Sequence, residues 1–229
     1  MKRPNMYDFL AKPLNGPEIE SRSFAIIDEE APAHDFTPAQ WQVVRRMIHT
    51  VGDFSIMERV RFSPEAITSA VQALRAAKPI YADSNMIRAG ISQARLQKVH
   101  SGYGSGSIVC YVNDGEVARE ARQSNLPRSL LAVQKARPLL DGAIVLFGNA
   151  PVALLEMNRL VIEEGIRPAL VVAMPVGFVH VLESKEEVTT TGVPYIVLEG
   201  RRGGSPLAVS VIHALCSLAE AGQEEGKER

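Results

Sequence analysis

Several short runs in this chain are apolar at every position instead of alternating with polar residues, and they restrict the fold more than any other feature. Residues 143–147 read Ala-Ile-Val-Leu-Phe, 169–174 Ala-Leu-Val-Val-Ala-Met and 195–198 Tyr-Ile-Val-Leu. Strands of this kind are covered on both faces. Each is followed by a Gly-containing loop and then by a helical stretch, which implies right-handed crossovers and a parallel sheet. Residues 79–82 and 107–112 have the same strand-length apolar character. In such sheets ligands sit at the carboxyl ends of the strands. The loops at 148–151, 175–178 and 200–206 all fall at such ends and are expected to converge on one side.

The helical start signals come before the sheet. Thr37-Pro38-Ala39-Gln40 offers a cap, a first-turn proline and a capping-box glutamine, with the helix running to about Thr50 and stopped by Gly52. Ser63-Pro64-Glu65 opens a second helix to about Ala77, and residues 128–140 suit a third, with Pro138 near its end. Further helices follow the loop at 148–151, to about Glu164, and the loop at 200–206, to about Ala221. Residues 1–36 are polar and Pro-rich around one apolar stretch, Phe24 to Ile27, and read as an arm ending in a strand or docked turn. The charged tail, 223–229, is expected to fray. All 229 residues, 46% of them apolar, suit a single domain, 1–229, with an ample core.

Charge and cysteine usage exclude several function classes. Twenty-five basic residues against 26 acidic give no basic excess for nucleic acid or a membrane surface. The N-terminus lacks an apolar signal core, and no apolar run reads as long enough to span a bilayer, so a cytoplasmic protein is expected. Cys110 and Cys216 read as buried reduced thiols. The five histidines fall in no metal-ligand spacing, so no metal site is expected.

Few motifs carry chemistry on their own. Gly102-Tyr103-Gly104-Ser105-Gly106 precedes a strand instead of following one, which makes it a loop and not a dinucleotide fingerprint. Gly203-Gly204-Ser205-Pro206 stands at a strand end and helix start, where free N–H groups favour an anion, or where a tight turn and N-cap suffice. Arg46 and His49 lie three apart on one helix and share a face. A cation beside an imidazole suits an acidic ligand that must be held and protonated; taken by itself, such a pair is more often an ordinary, partly exposed helix end. Residue chemistry alone reaches a parallel α/β protein that binds an anionic small molecule at its strand ends.

Several stretches together resemble the precorrin-8X methylmutase family, also called cobalt-precorrin-8 methylmutase, of cobalamin biosynthesis. They are Glu20-Ser21-Arg22-Ser23-Phe24, Arg45-Arg46-Met47-Ile48-His49, Asp83-Ser84-Asn85-Met86, Arg128-Ser129, Gly148-Asn149-Ala150-Pro151, Met174-Pro175-Val176-Gly177-Phe178-Val179, Glu183-Ser184-Lys185 and Gly200-Arg201-Arg202-Gly203-Gly204-Ser205. The resemblance runs over about residues 17–215. It implies a flavodoxin-like three-layer sandwich with a mostly parallel sheet, a homodimer, and an acidic tetrapyrrole substrate bound near the subunit interface. It also implies the reaction, a cofactor-free shift of a methyl group from C11 to C12 of the corrin precursor. The family's proton-handling histidine falls on His49, and its substrate-contacting residues fall on Ser23, Arg46 and Arg128. Asp83, Met86, Asn149, Lys185, Arg201 and Gly204 are candidates for further contacts. Such a shift needs no nucleophile: protonating a ring nitrogen draws electrons from the conjugated system, and an imidazole can lend that proton near neutrality. Arginines suit the substrate's carboxylates. Pro127, Val152, His180 and His213 depart from the family's usual residues, and the first two delete hydroxyls. A corrinoid carrier that kept the pocket without the chemistry is the alternative. A nucleotide-dependent flavodoxin-like protein would need a phosphate loop that the sequence lacks.

Overall fold

The computed structural model describes residues 3–224. The chain opens with helices α1 (Met6–Ala11), α2 (Gly16–Glu30) and α3 (Pro38–Val51), followed by strand β1 (Val60–Phe62) and α4 (Ala66–Arg75). Then come β2 (Ile80–Ala82), α5 (Asn85–Gly90), α6 (Gln93–Val99), β3 (Ile108–Val109), α7 (Gly115–Ser124) and α8 (Arg128–Ala136). The remaining elements are β4 (Ile144–Phe147), α9 (Pro151–Glu164), β5 (Leu170–Ala173), α10 (Val181–Val188), β6 (Tyr195–Leu198) and α11 (Ser205–Glu224).

The strands form one sheet in the order β1-β6-β5-β4-β2-β3, parallel throughout except for β1, which runs antiparallel to β6 at the edge. The all-apolar runs are the reason for the layers. Ile144 and Leu146 face α3, α4 and α11 on one side, while Val145 and Phe147 face α8, α9 and α10 on the other. The same alternation holds for Leu170 and Val172 against Val171 and Ala173. Both sets are fully buried, and each large apolar side chain so buried contributes about 1.5–3 kcal/mol before entropy is counted.

The expected capping box on α3 is present: Thr37 Oγ1 accepts the Gln40 N–H at 3.3 Å, Gln40 Oε1 accepts the Thr37 N–H at 3.0 Å, and Gly52 ends the helix at φ 64°. The arm is different from the expectation. Phe24 to Ile27 is neither strand nor docked turn but the middle of α2, started by a capping box in which Asn15 and Glu18 bond each other's N–H. Only Ile27 of α2 is buried, so the helix shows no continuous apolar stripe to be read. Strand β1 was also not anticipated, being three residues long. The helix expected at 128–140 stops at Ala136 and tightens into a 3-10 turn, Arg137–Leu139, where Pro138 cannot donate to the helix ladder.

One helix, over Ser205–Gly222, is after all long and apolar enough to cross a membrane, contrary to the sequence reading. It lies against α3, α4, α5 and α6, and its Leu207, Val211, Ile212 and Leu215 are core residues, so protein covers its apolar face. Residues 225–229 of the expected frayed tail lie outside the described residues.

Candidate functional site

The three loops at the strand ends do converge. Gly203 lies so close to the next loop that a Cβ there would stand 2.2 Å from the Met174 carbonyl oxygen. A Cβ on Gly148 would meet Ser205 Cα at 2.7 Å. The Gly204 N–H donates to the Met174 carbonyl at 2.8 Å, and Ser205 and Ser84 share a hydroxyl hydrogen bond of 2.9 Å. Gly203-Gly204-Ser205-Pro206 is thus a tight turn whose N–H at Gly204 is already used.

Asp83 follows β2, at the point where the strand order turns between β2 and β4. It is 1% exposed. Its carboxylate accepts the N–H groups of Gly148 at 3.1 Å and of Asn149 and Ala150 at 2.8 Å each. Burial raises the pKa of this carboxyl above the usual carboxylate range, and the three donors offset only part of that rise. Doubly wound proteins hold ligands at such a switch point. Here the chain's own carboxylate takes the donors, and Asn149 offers a groove only its exposed side chain. Lys185 is spent in the same way. It is 2% exposed, and its Nζ donates to the carbonyls of Gly200 at 2.8 Å and Arg202 at 2.7 Å. Burial pushes its pKa down to about 7. Asp83 and Lys185 fasten the loops instead of lining a groove.

The histidine and arginine named from the sequence meet on the other side of that edge. On α2, Glu20, Ser23 and Phe24 are spaced to share one face, and this helix packs on α3. The Phe24 ring meets His49 edge-on at 5.3 Å and carries the guanidinium carbons of Arg45 at 4.6 Å and Arg46 at 5.0 Å. Cations above an aromatic face are attracted by its quadrupole. Arg46 Nη1 binds Glu20 Oε1 at 2.7 Å, and Arg95 of α6 approaches the same oxygen at 3.5 Å. The Arg46 hydrogen bond leads the effects that lower the Glu20 pKa. Ser23 donates its hydroxyl to the Ile19 carbonyl of its own helix at 2.8 Å. His49 itself is exposed.

Beside this cluster lies a groove of about 290 Å³, walled by Arg46 and Thr50 of α3, Met86 and Gly90 of α5, and Val209 and His213 of α11. His49 is not among the residues that wall this groove; it lies three residues after Arg46 on α3, on the same helical face. A second groove of about 650 Å³ opens on the other face of α5, with Asn85 and Arg88 opposite Cys110, Tyr111 and Asn113. The short helix α5 is therefore a partition: Asn85, Arg88 and Ala89 face one groove, Met86 and Gly90 the other. Arg128 is exposed at the first position of α8, in the opposite helical layer, its guanidinium with no hydrogen bond or ion pair among the described residues. Arg201 is exposed too, its guanidinium 5.9 Å from the Phe178 ring. A larger groove, about 740 Å³, lies by the β1 edge among Pro32, Phe36, Met57 and Phe62, and none of the site residues named from the sequence lines it. Chemistry, and not volume, picks out the α3–α5–α11 groove.

Residues 18–218 match the sequence model of precorrin-8X methylmutase. The chain belongs to the precorrin-8X methylmutase family. It is 43% identical over 212 residues to the cobalt-precorrin-8 methylmutase of Leptospira interrogans, covering 89% of this chain and 94% of that protein. It is 33% identical to the precorrin-8X methylmutase of Pseudomonas aeruginosa, over 90% and 97% of the two chains. The solved precorrin-8x methyl mutase of Thermus thermophilus superposes with a TM-score of 0.82 at 44% identity, covering 90% of this chain and 98% of that one. The methylmutase match takes in α2 through most of α11, and with them both grooves. Sequence reasoning missed Glu20, Arg88, Arg95 and His213 as groove or cluster residues. Recognising the Asn15–Glu18 capping box would have set Glu20 on the face of α2 that carries Ser23 and Phe24. Arg95 and His213 had no such signal, since tertiary packing brings them there.

Proposed function

We propose that this chain isomerises a corrin-ring precursor in the cytoplasm, moving a methyl group from C11 to C12 of precorrin-8X or cobalt-precorrin-8 without a cofactor. His49 lends a proton to the macrocycle and takes it back, while Arg46, Arg128 and Ser23 engage its acidic arms. The observation that carries this reading is an exposed imidazole one helical turn from an arginine that walls a strand-end groove, in a chain of the methylmutase family. A histidine sealed in the core would have no access to a large ligand.

The groove of about 290 Å³ is at the bottom of the usual range for small-molecule sites, roughly 300–1,000 Å³. A many-armed tetrapyrrole overfills it, so the macrocycle lies across α5, reaching both grooves, and a second subunit closes the site. Two features support that homodimer. The first is α1, whose Met6, Tyr7, Phe9 and Leu10 are all exposed, and the second is the strand-end loop with Phe178 85% and Val179 69% exposed. The order of the five parallel strands, with the second outside the first, supports the flavodoxin-like reading of the sheet.

The test is His49→Ala, assayed for corrinoid binding and turnover with the metal-free and cobalt-containing substrates. Loss of acid catalysis is worth about a hundred- to ten-thousand-fold in kcat, with binding retained. Turnover within three-fold of wild type removes His49 from the mechanism. Wild-type protein that binds both corrinoids and converts neither is a carrier.

A further inference from the structure

His213 is the one imidazole that lines the groove, beside Arg46 and across from Met86. Its Nε2 accepts the backbone N–H of Ser92 at 2.9 Å. A ring nitrogen that accepts carries its lone pair there, so the hydrogen-bond network assigns the ring proton to Nδ1. That Nδ1–H has no partner among the described residues, and it is not one of the buried unpartnered polar atoms. It therefore keeps some exposure, on a residue that lines the groove.

We infer that His213 is a substrate-binding residue of this chain, presenting a neutral Nδ1–H to an acidic arm of the corrin precursor that Arg46 draws into the groove. The inference rests on the reading of this groove as part of the substrate site. Arg46 supplies charge, and His213 supplies a directed hydrogen bond. The ring stays neutral in this role. Burial lowers its pKa to about 4, Arg95 and Arg46 oppose a further positive charge, and only Glu20 favours one. Protonating Nε2 would also break the bond to Ser92. The two histidines near the groove thus have separate tasks. His49, exposed one helical turn from Arg46, can exchange a proton with ligand or solvent; His213, locked in one tautomer, offers a ligand only a hydrogen-bond donor.

The alternative is that His213 serves the fold alone, by satisfying the Ser92 N–H at the start of α6. Two amide substitutions separate these roles, because the side-chain amide of Asn overlays Nδ1 of a histidine and that of Gln overlays Nε2. His213→Gln can keep the bond to Ser92 and withdraws the donor from the groove. His213→Asn keeps a donor in the groove and gives up the bond to Ser92.

The experiment compares KM, kcat and thermal midpoint for wild type, both variants and His49→Ala. Substrate binding by His213 predicts a KM raised about ten-fold or more in the Gln variant, the effect of losing a hydrogen bond to a charged group. Its midpoint stays close to wild type. The Asn variant should show the lower midpoint and a KM within about three-fold of wild type. The reverse pattern, a normal KM in the Gln variant and a raised one in the Asn variant, overturns the inference, as does a normal KM in both. Failure of the underlying site reading looks different: His49→Ala would then turn over normally, whatever the His213 variants do.

Discussion

Replacing Asp83 by Asn tests the physical idea that organises the strand-end loops. The carboxylate holds three backbone donors from the loop after β4, and of the residues that supply them Gly148 is buried, Ala150 half-buried and Asn149 exposed. An asparagine keeps the volume but has a single acceptor oxygen. Turned toward Asn149 and Ala150, it retains two bonds and sets its own NH2 against the Gly148 N–H. That leaves one dry donor unpaired, at a cost of about 1–3 kcal/mol. Against a total stability of about 5–15 kcal/mol this is a large fraction. With a urea m-value of about 3 kcal/mol/M, the midpoint falls by roughly 0.3–1 M. Asp83→Ala adds a second signature. It empties the anion position, so formate added to the buffer should raise the thermal midpoint of the alanine variant more than that of wild type. The opposing term is the burial that raises the Asp83 pKa. If Asp83→Asn matches or exceeds wild-type stability, the cost of burying the charge outweighs the three bonds, and the carboxylate is not what fastens these loops.

Two further expectations concern the same edge. Gly203→Ala drives a methyl group to within 2.2 Å of the Met174 carbonyl oxygen and 2.5 Å of that of Pro175; the loops must part, with about 2–4 kcal/mol lost in denaturant titration and activity reduced with it. Lys185→Met keeps the buried stem and removes both donors to the Gly200 and Arg202 carbonyls, at about 1–3 kcal/mol. It also changes the pH profile. The folded amine titrates at about 7, below its ordinary 10.5, so between those values the unfolded chain holds the extra proton. Wild-type stability therefore gains with rising pH across that window and is lost as pH falls toward 7. Urea titrations at pH 7 and pH 9 should show this slope in wild type and a flatter one in the Met variant.

How much of the site could be read from the sequence depended on whether neighbours in space were neighbours along the chain. Arg46 and His49 were legible as a pair because one helix turn joins them, and their helix announced itself through Thr37, Pro38 and Gln40. Phe24 is visible as an apolar residue, but its place under two arginines and His49 is not, because the polar, Pro-rich stretch around it reads as an arm. Asp83 and Lys185 belonged to family-like motifs and looked like ligand contacts. Their donors and acceptors prove to be backbone groups 65 and 15 residues away, and no local pattern encodes such partners.

The sequence by itself determined the parallel sheet, the convergence of its carboxyl-end loops and the family, because strands buried on both faces must be apolar throughout and the loops between them carry long, specific motifs. Tertiary structure alone decided which polar groups the chain's own backbone takes up and which it leaves free. A hydrogen-bonding group looks the same in a sequence whether its partner is a substrate or the chain's own backbone, and only packing reveals which partner lies within reach.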